Sequence, residues 1–483
     1  MKARTRFAPS PTGYLHVGGV RTALFAWLIA RQTKGEFILR LEDTDKLREV
    51  EGSGEHIMES LAWLGITWDE GIGLPEEGPY APYRQSQRLS LYKEWAQKLI
   101  DTGRAYADPY TPEEVQGFRE QAQKEKKPFL YRNHRPENPP AWDGTQPLRF
   151  LSKPKPYTWH DEVMGELSAG EEAVDDFIVI KSDGYPTYNF CHIIDDLLMK
   201  CTHVIRSQEF IASVPKFLNL YEALEIERPL LATVPFVMGS DGKKKLSKRD
   251  GAKDILDYRE EGFLPEAMVN FLATLGWNDG TEQEVFSRQE LIDTFSLARV
   301  QKGGARFDEQ RLIWLNGAHI RRLPLEKIYR ILGDGISASF WPPEAYAAAY
   351  DDEYRLKVLS LVQERLKFFK ELPGLTLFFF KDLPVDPRLW QEHKQLKKLE
   401  QHEIKQLLEQ GKASITESNF STEDLTKRLN DLLEKTDQKP AVLFSLIRIA
   451  ITQAAASPGL ADTMTVLGKE TVLRRIDQML SSL

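Results

Sequence analysis

The first 45 residues constrain the fold more than any later stretch. Thr5-Arg6-Phe7-Ala8 reads as a short strand that runs into the tight turn Pro9-Ser10-Pro11-Thr12-Gly13. A helix is predicted from about His16 to Thr33, and Glu36-Phe37-Ile38-Leu39-Arg40-Leu41 is a second strand. That strand opens into the acidic loop Glu42-Asp43-Thr44-Asp45, and another helix is predicted over about Gly54 to Leu64. Strand, helix, strand, helix at this spacing dictates a parallel sheet with right-handed crossovers. Ligands on such sheets sit at the carboxyl ends of the strands, where both the Pro/Gly turn and the acidic loop fall.

The chain has 483 residues, enough for three or four domains at roughly 100–150 residues each. Between about 110 and 160 prolines cluster and charges are dense, the texture of an insertion into the sheet domain. Sheet texture returns at Phe177-Ile178-Val179-Ile180 and His203-Val204-Ile205. Beyond about 255 helical periodicity dominates, with Leu356, Leu359, Val362, Leu366 and Phe369 spaced by three and four. No run approaches the roughly 18–20 apolar residues of a membrane span. The N-terminal Met1-Lys2-Ala3-Arg4 leads into no apolar segment, so a cytoplasmic location is expected. Two cysteines, Cys191 and Cys201, supply neither a disulfide framework nor an all-cysteine zinc site. The net charge of −8 argues mildly against a nucleic-acid partner. Local patches matter more, and basic clusters occur at Lys243-Lys244-Lys245 with Lys248-Arg249, at Arg299, Lys302 and Arg306, and at Arg321-Arg322.

Two segments carry chemistry. The first, Pro9-Ser10-Pro11-Thr12-Gly13-Tyr14-Leu15-His16-Val17-Gly18-Gly19, follows a strand and opens a helix. Its glycines allow close backbone approach, and the helix start offers N–H groups to an anion. His16 can donate to a phosphate oxygen as charge grows in a transition state. The simpler reading of the turn alone is an ordinary strand-to-helix connection capped by Thr12. The second segment is Lys245-Leu246-Ser247-Lys248-Arg249, after Gly239-Ser240-Asp241-Gly242-Lys243-Lys244. Two lysines three apart in a Gly-rich loop make a mobile cationic clamp that suits a leaving pyrophosphate. The bland reading is a solvated basic run.

Together, about 230 residues apart, the two segments resemble the HIGH and KMSKS motifs of class I aminoacyl-tRNA synthetases, here His16-Val17-Gly18-Gly19 and Lys245-Leu246-Ser247-Lys248-Arg249. Arg6 to Gly13, Leu41-Glu42-Asp43-Thr44-Asp45, Gly184-Tyr185-Pro186-Thr187-Tyr188-Asn189-Phe190, Ile194-Asp195-Asp196 and Val204-Ile205-Arg206 resemble the bacterial glutamyl-tRNA synthetases. Leu312 to Gly317 and Val466 to Glu470 extend the resemblance almost end to end.

The resemblance implies an α/β Rossmann-type catalytic domain with an inserted acceptor-binding domain, followed by mostly α-helical stem-contact and anticodon-binding domains. The expected divisions are residues 1–85 and 191–245 for the two catalytic halves and 86–190 for the insertion. The KMSKS loop and stem-contact domain takes 246–322, and the anticodon-binding domain 323–483. It implies that L-glutamate is activated by ATP and passed to tRNA(Glu), with Mg²⁺ carried on ATP, by a monomer with no membrane partner. The implied catalytic residues are His16, Lys245 and Lys248. ATP contacts fall on Ser10, Thr12, His16, Gly18, Gly19, Glu209, Phe210, Lys245, Ser247 and Lys248, with Phe210 against the adenine. Glutamate contacts fall on Arg6, Ala8, Ser10, Glu42, Tyr188, His192 and Arg206. Glu42 suits the ammonium and the two arginines the carboxylates; some relatives have asparagine in place of His192.

Many relatives carry a C-x-C…C-x-H zinc knuckle in the insertion. This chain has Ala107 and Pro109, then Asn133-His134-Arg135, so no zinc is expected and His134 reads as a polar surface residue. Relatives that charge only the glutamate tRNA place an arginine on a helix to read the last anticodon base. Arg365 falls there, which implies a discriminating enzyme. The alternatives are an enzyme that also charges tRNA(Gln), a glutaminyl-tRNA synthetase, a truncated relative acting on a modified tRNA base, or a silent tRNA-binding module. Residues 323–483 lack the strand alternation of a glutaminyl enzyme's β-barrels. The chain's length argues against the truncated relative, and the intact lysines against the silent module.

Overall fold

The computed structural model describes residues 2–246, 253–333 and 340–483. Ser247 and Lys248 lie outside the described residues. The chain forms two compact units, 1–259 with 265–312, and 260–264 with 313–483. Among the described residues no helix is long and apolar enough to cross a membrane.

The first unit opens with strand β1 (Arg4–Phe7), helix α1 (Val17–Gln32), strand β2 (Glu36–Leu39), helix α2 (Ser53–Trp63) and strand β3 (Glu70–Gly71). β1 pairs in parallel with β2, Arg4 opposite Glu36 and Phe7 opposite Leu39, and β2 pairs in parallel with β3. The crossover helix is buried along most of its length, from Ala23 through Ala30. Truncating Leu24 or Leu28, both fully buried, would cost about 2–5 kcal/mol. The return to β2 needs Gly35, because a Cβ there would meet the Ala3 carbonyl oxygen at 1.9 Å.

The insertion follows, with α3 (Leu89–Asp101), β4 (Ala105–Ala107), α4 (Pro112–Lys124), β5 (Leu148–Phe150), the hairpin β6 (Tyr157–Asp161) and β7 (Gly165–Ala169), and β8 (Ile178–Ile180). β8 pairs antiparallel with β5, so the strand texture at 177–180 belongs to the insertion's own sheet, β4-β5-β8, and not to the parallel sheet. His134, expected from the sequence to be a polar surface residue, is not a free surface side chain. Its ring stacks on Phe118 with centroids 4.2 Å apart and on Phe129 at 5.8 Å. Asp175 accepts the Tyr131 and Arg132 N–H groups at 2.8 and 2.9 Å, and Asp176 takes Arg135 at 2.7 Å. Aromatic stacking and carboxylate caps fasten this turn.

The chain then returns to the parallel sheet through α5 (Tyr188–Leu198), β9 (His203–Ser207), α6 (Val214–Ala223) and β10 (Leu230–Val234). β9 pairs in parallel with β10, and it lies beside β1, whose Arg4 carbonyl accepts the Thr202 N–H at 2.9 Å. The carboxyl ends of β1, β2, β9 and β10 therefore open on one side. The short strand β11 (Val237–Met238) follows β10 directly.

In the second unit the described elements beyond residue 322 are helical, among them 3-10 turns. The run predicted from Leu356 to Phe369 is not one helix. The α-helix Asp352–Val362 ends there, Gln363–Arg365 is a 3-10 turn, and Phe369 starts another. Leu359, Val362, Leu366 and Phe369 are nonetheless all buried, so the apolar spacing marks the core while the backbone bends around it.

Candidate active site

The strand ends enclose a cavity of about 730 Å³ lined by residues of both signature segments. At one wall α1 begins. His16 is its N-cap, and its Nδ1 accepts the Gly18 N–H at 3.1 Å. That bond fixes the tautomer, leaving Nε2 as the nitrogen that bears hydrogen. Gly18 permits this arrangement, since a Cβ would sit 3.2 Å from the imidazole Cε1. The cap is thus His16 and not Thr12, which lies outside the cavity lining.

Opposite, the chain doubles back after β11. Leu246 N–H donates to the Val237 carbonyl at 2.8 Å, and Lys245 bridges to Met238. Lys245 is thereby brought over the Phe236 ring, 4.5 Å from its centroid, with Nζ 3.0 Å from a Glu209 carboxylate oxygen. His16, Gly18, Gly19, Ser10, Glu209, Phe210 and Lys245 all line the cavity.

Its floor is a lattice of buried ions. Arg6 holds Asp196 through Nε and Nη2 at 3.0 and 3.3 Å. Arg40 reaches Asp196 at 2.8 Å and Glu42 at 3.1 Å, and stands 3.7 Å from Asp195. Arg88 and Gln85 each meet Asp195 at 2.8 Å. Burial drives the Glu42 carboxyl up to about 7 against the pull of Arg40 and Arg6. Asp196 stays far below the usual carboxylate range: Arg6 and Arg40 outweigh its own burial.

Arg206 differs. It is 7% exposed, and no carboxylate among the described residues pairs with it. Its guanidinium lies between the rings of Phe210 and Phe217, 5.7 and 5.1 Å from their centroids, with the Tyr188 hydroxyl 3.4 Å from Nη1. Ala8, Glu42, Tyr188, Arg6 and Arg206 line the cavity together. His192 does not. It is fully buried behind Tyr188, stacked at 4.6 Å, with Nδ1 donating to the Tyr188 carbonyl at 2.6 Å. Burial and Arg206 push it far below its ordinary value, so it is neutral and backs the Tyr188 ring.

Sequence reasoning did not single out Arg21, one turn beyond the glycines of α1. It is 1% exposed, lines the cavity and donates from Nη1 to the Pro235 carbonyl at 2.8 Å, while Nε and Nη2 have no hydrogen-bond partner among the described residues. Burial lowers it to about 10. Its position on the helical face of the HIGH segment was the available signal. Arg40, Gln85 and Arg88 were also missed, since their roles depend on long-range pairing. Among the described residues no group of three or more His, Cys, Asp or Glu side chains is placed to hold a metal ion.

In the second unit Arg365 is exposed at the end of its 3-10 turn. Arg448 is close enough that the Arg365 charge, after burial, lowers its pKa, and its Nε donates to Ser457 at 3.0 Å.

The family model described as tRNA synthetases class I (E and Q), catalytic domain, matches residues 2–314, and the one described as Anticodon binding domain matches 337–480. The glutamate–tRNA ligase of Moorella thermoacetica is 38% identical over 487 residues, covering 99% of this chain and 98% of that protein. That of Dehalococcoides mccartyi (strain BAV1) is 39% identical over 491 residues, covering 100% and 98%. The crystal structure of a glutamate tRNA ligase from Elizabethkingia meningosepticum, in complex with its amino acid, matches at a TM-score of 0.86 and 32% identity over 100% of both chains. The chain belongs to the glutamyl-tRNA synthetase family of class I aminoacyl-tRNA synthetases.

Proposed function

We propose that the chain activates L-glutamate with ATP and transfers the glutamyl group to the 3′ end of tRNA(Glu). The observation that carries this reading is Arg206, a buried guanidinium with no carboxylate partner among the described residues, lining one cavity with His16 and Lys245. An amino acid with two carboxylates and one ammonium complements Arg206, the edge of Arg6 and Glu42. Arg6 is already shared with Asp196, so Arg206 takes the larger part of one carboxylate and Arg6 assists at the other.

The α-carboxylate attacks the α-phosphorus of ATP, an oxygen–phosphorus bond forms, and pyrophosphate leaves with its electron pair. No side chain becomes covalently attached. His16 Nε2–H faces developing phosphate charge, and Lys245 leaves Glu209 for the phosphates, with Lys248 as its expected partner. Glu209 and Phe210 then meet the adenosine. Mg²⁺, arriving with ATP, would add to the charge neutralisation that His16 and the lysines provide. The terminal tRNA hydroxyl next takes the acyl group and AMP departs.

Arg365 and Arg448, two neighbouring guanidiniums in the helical unit, support a reading in which this surface meets the anticodon and Arg365 rejects a terminal guanine. Charging assays with purified glutamate and glutamine tRNAs test the whole reading. Glutamylation of the glutamate tRNA alone is expected, and failure to charge it with glutamate would overturn the proposal.

A further inference from the structure

Helix α2 carries a histidine that ties the first signature segment to Asp254, five residues beyond the second. His56 Nε2 stands 2.8 Å from one Asp254 carboxylate oxygen and 2.9 Å from the other. Its Nδ1 accepts the Leu15 N–H at 3.4 Å, so the ring donates from Nε2 to the carboxylate. The Tyr14 ring stacks on His56 with centroids 4.5 Å apart. Asp254 is itself clipped to the first signature. Its backbone bridges to His16, and the next residue, Ile255, donates to the Leu15 carbonyl at 3.3 Å. Asp254 also accepts the Leu256 N–H at 2.9 Å, which fixes the carboxylate at the start of the helix Ile255–Glu260. A second pair, Arg259 with Glu59 at 2.8 Å, holds that helix to α2. The His56 and Asp254 side chains are only 13% and 19% exposed, so water competes weakly for the contact.

Lys248 lies in the sequence between two points that the described residues fix. At the entry, Lys245 rests on Glu209. At the exit, Asp254 is held by His56. We propose that His56 is a positioning residue for adenylate formation: by holding Asp254 against the Leu15–His16 turn, it sets where the segment bearing Lys248 must end. His56 itself touches no substrate. The inference rests on the pyrophosphate role of the lysines given above and goes beyond it, since nothing in the two signatures calls for a histidine on α2.

The test is pyrophosphate exchange with tRNA present, on His56→Ala, His56→Gln, Asp254→Ala and the His56→Ala/Asp254→Ala double variant, with Lys248→Ala as the control. Glutamate binding and melting temperature are measured beside the rate. A misplacement of about 1 Å costs on the order of 100-fold, so His56→Ala is expected to lose about 10- to 100-fold in exchange rate while glutamate affinity holds. His56→Gln, whose side-chain amide can reach Asp254, recovers most of the rate. The double variant loses no more than the worse single one. Full exchange in a folded His56→Ala enzyme overturns the proposal, as does a rate loss that follows the folded fraction without rescue by glutamine. Should His56→Ala not fold, an unimpaired Asp254→Ala enzyme overturns it equally. If Lys248→Ala keeps its rate, the lysine reading has failed, and that result is distinct from failure of the latch.

Discussion

Beneath the cavity, Arg6, Arg40 and Arg88 face Glu42, Asp195 and Asp196, and these charges largely cancel. Arg206 sits outside that lattice with two aromatic faces and a hydroxyl for company. A planar fork between rings is preorganised in a way that an ammonium on a flexible stem is not. Arg206→Lys is therefore expected to weaken glutamate about tenfold or more, read by calorimetry on the free enzyme, with little change in melting temperature. Unchanged affinity would remove Arg206 from the carboxylate role. Glu42 offers a second test. Its carboxyl is raised from the ordinary 4.5 to about 7 by burial. It is thus largely ionised at pH 8 and largely protonated at pH 6. An ammonium needs the ionised form, so glutamate affinity should fall as pH drops through about 7, by up to about tenfold per unit. Glu42→Gln should bind weakly at both ends of that range and lose the slope. The same shift makes the folded state bind this proton more tightly than the unfolded chain. Glu42 therefore favours folding at low pH, and that contribution is lost as pH rises from 4.5 through 7.

At the scale of elements, the β1-turn-α1-β2 corner gives both the site and its most local signal. The helix predicted from His16 to Thr33 runs Val17–Gln32, the first strand shifts one residue earlier to Arg4–Phe7, and the second ends two residues sooner at Leu39. These bounds were legible because a cap, a 3.6-residue period and a glycine return are written in adjacent residues. The ion lattice was not, because it joins β1, the end of β2 and α5 across more than 150 positions, and no local pattern encodes which carboxylate meets which arginine. The break after Val362 escaped for a related reason: buried residues keep a helical spacing even where the backbone leaves the helix. Arg21 shows what such non-local contacts do. It joins α1 to the Pro235 carbonyl, two residues before β11 and the turn that brings back Lys245. A buried cation without a carboxylate is costly to the fold, and an unbranched apolar chain of similar length removes that cost. Arg21→Met should therefore match or exceed the parent's melting temperature. Its pyrophosphate exchange should fall severalfold, because the Pro235–Lys245 segment loses its hold on α1. An enzyme both more stable and fully active would show that Arg21 does not position that segment.

For the whole molecule, the net charge of −8 concealed the partner, since the cations that matter are local and few. The two units divide the proposed work: the cavity lies wholly in the first, and Arg365 and Arg448 lie in the second. Selection of tRNA and recognition of glutamate should then be separable by mutation. Arg365 is exposed, and its charge is close enough to help lower the pKa of the partly buried Arg448, so this surface favours an anion or an electronegative base edge. Glutamine in its place keeps hydrogen-bonding capacity but removes the charge and the length that would collide with a guanine. A single discriminating arginine contact is worth about 1–3 kcal/mol, roughly 5- to 150-fold. Arg365→Gln is accordingly expected to narrow the ratio of kcat/KM for glutamate tRNA over glutamine tRNA by that factor. Glutamate binding to the free enzyme should stay at the parent value, because no residue of the cavity has changed. A preference left intact would assign discrimination to other residues, and a loss of glutamate affinity would mean that the two units are not independent in this respect.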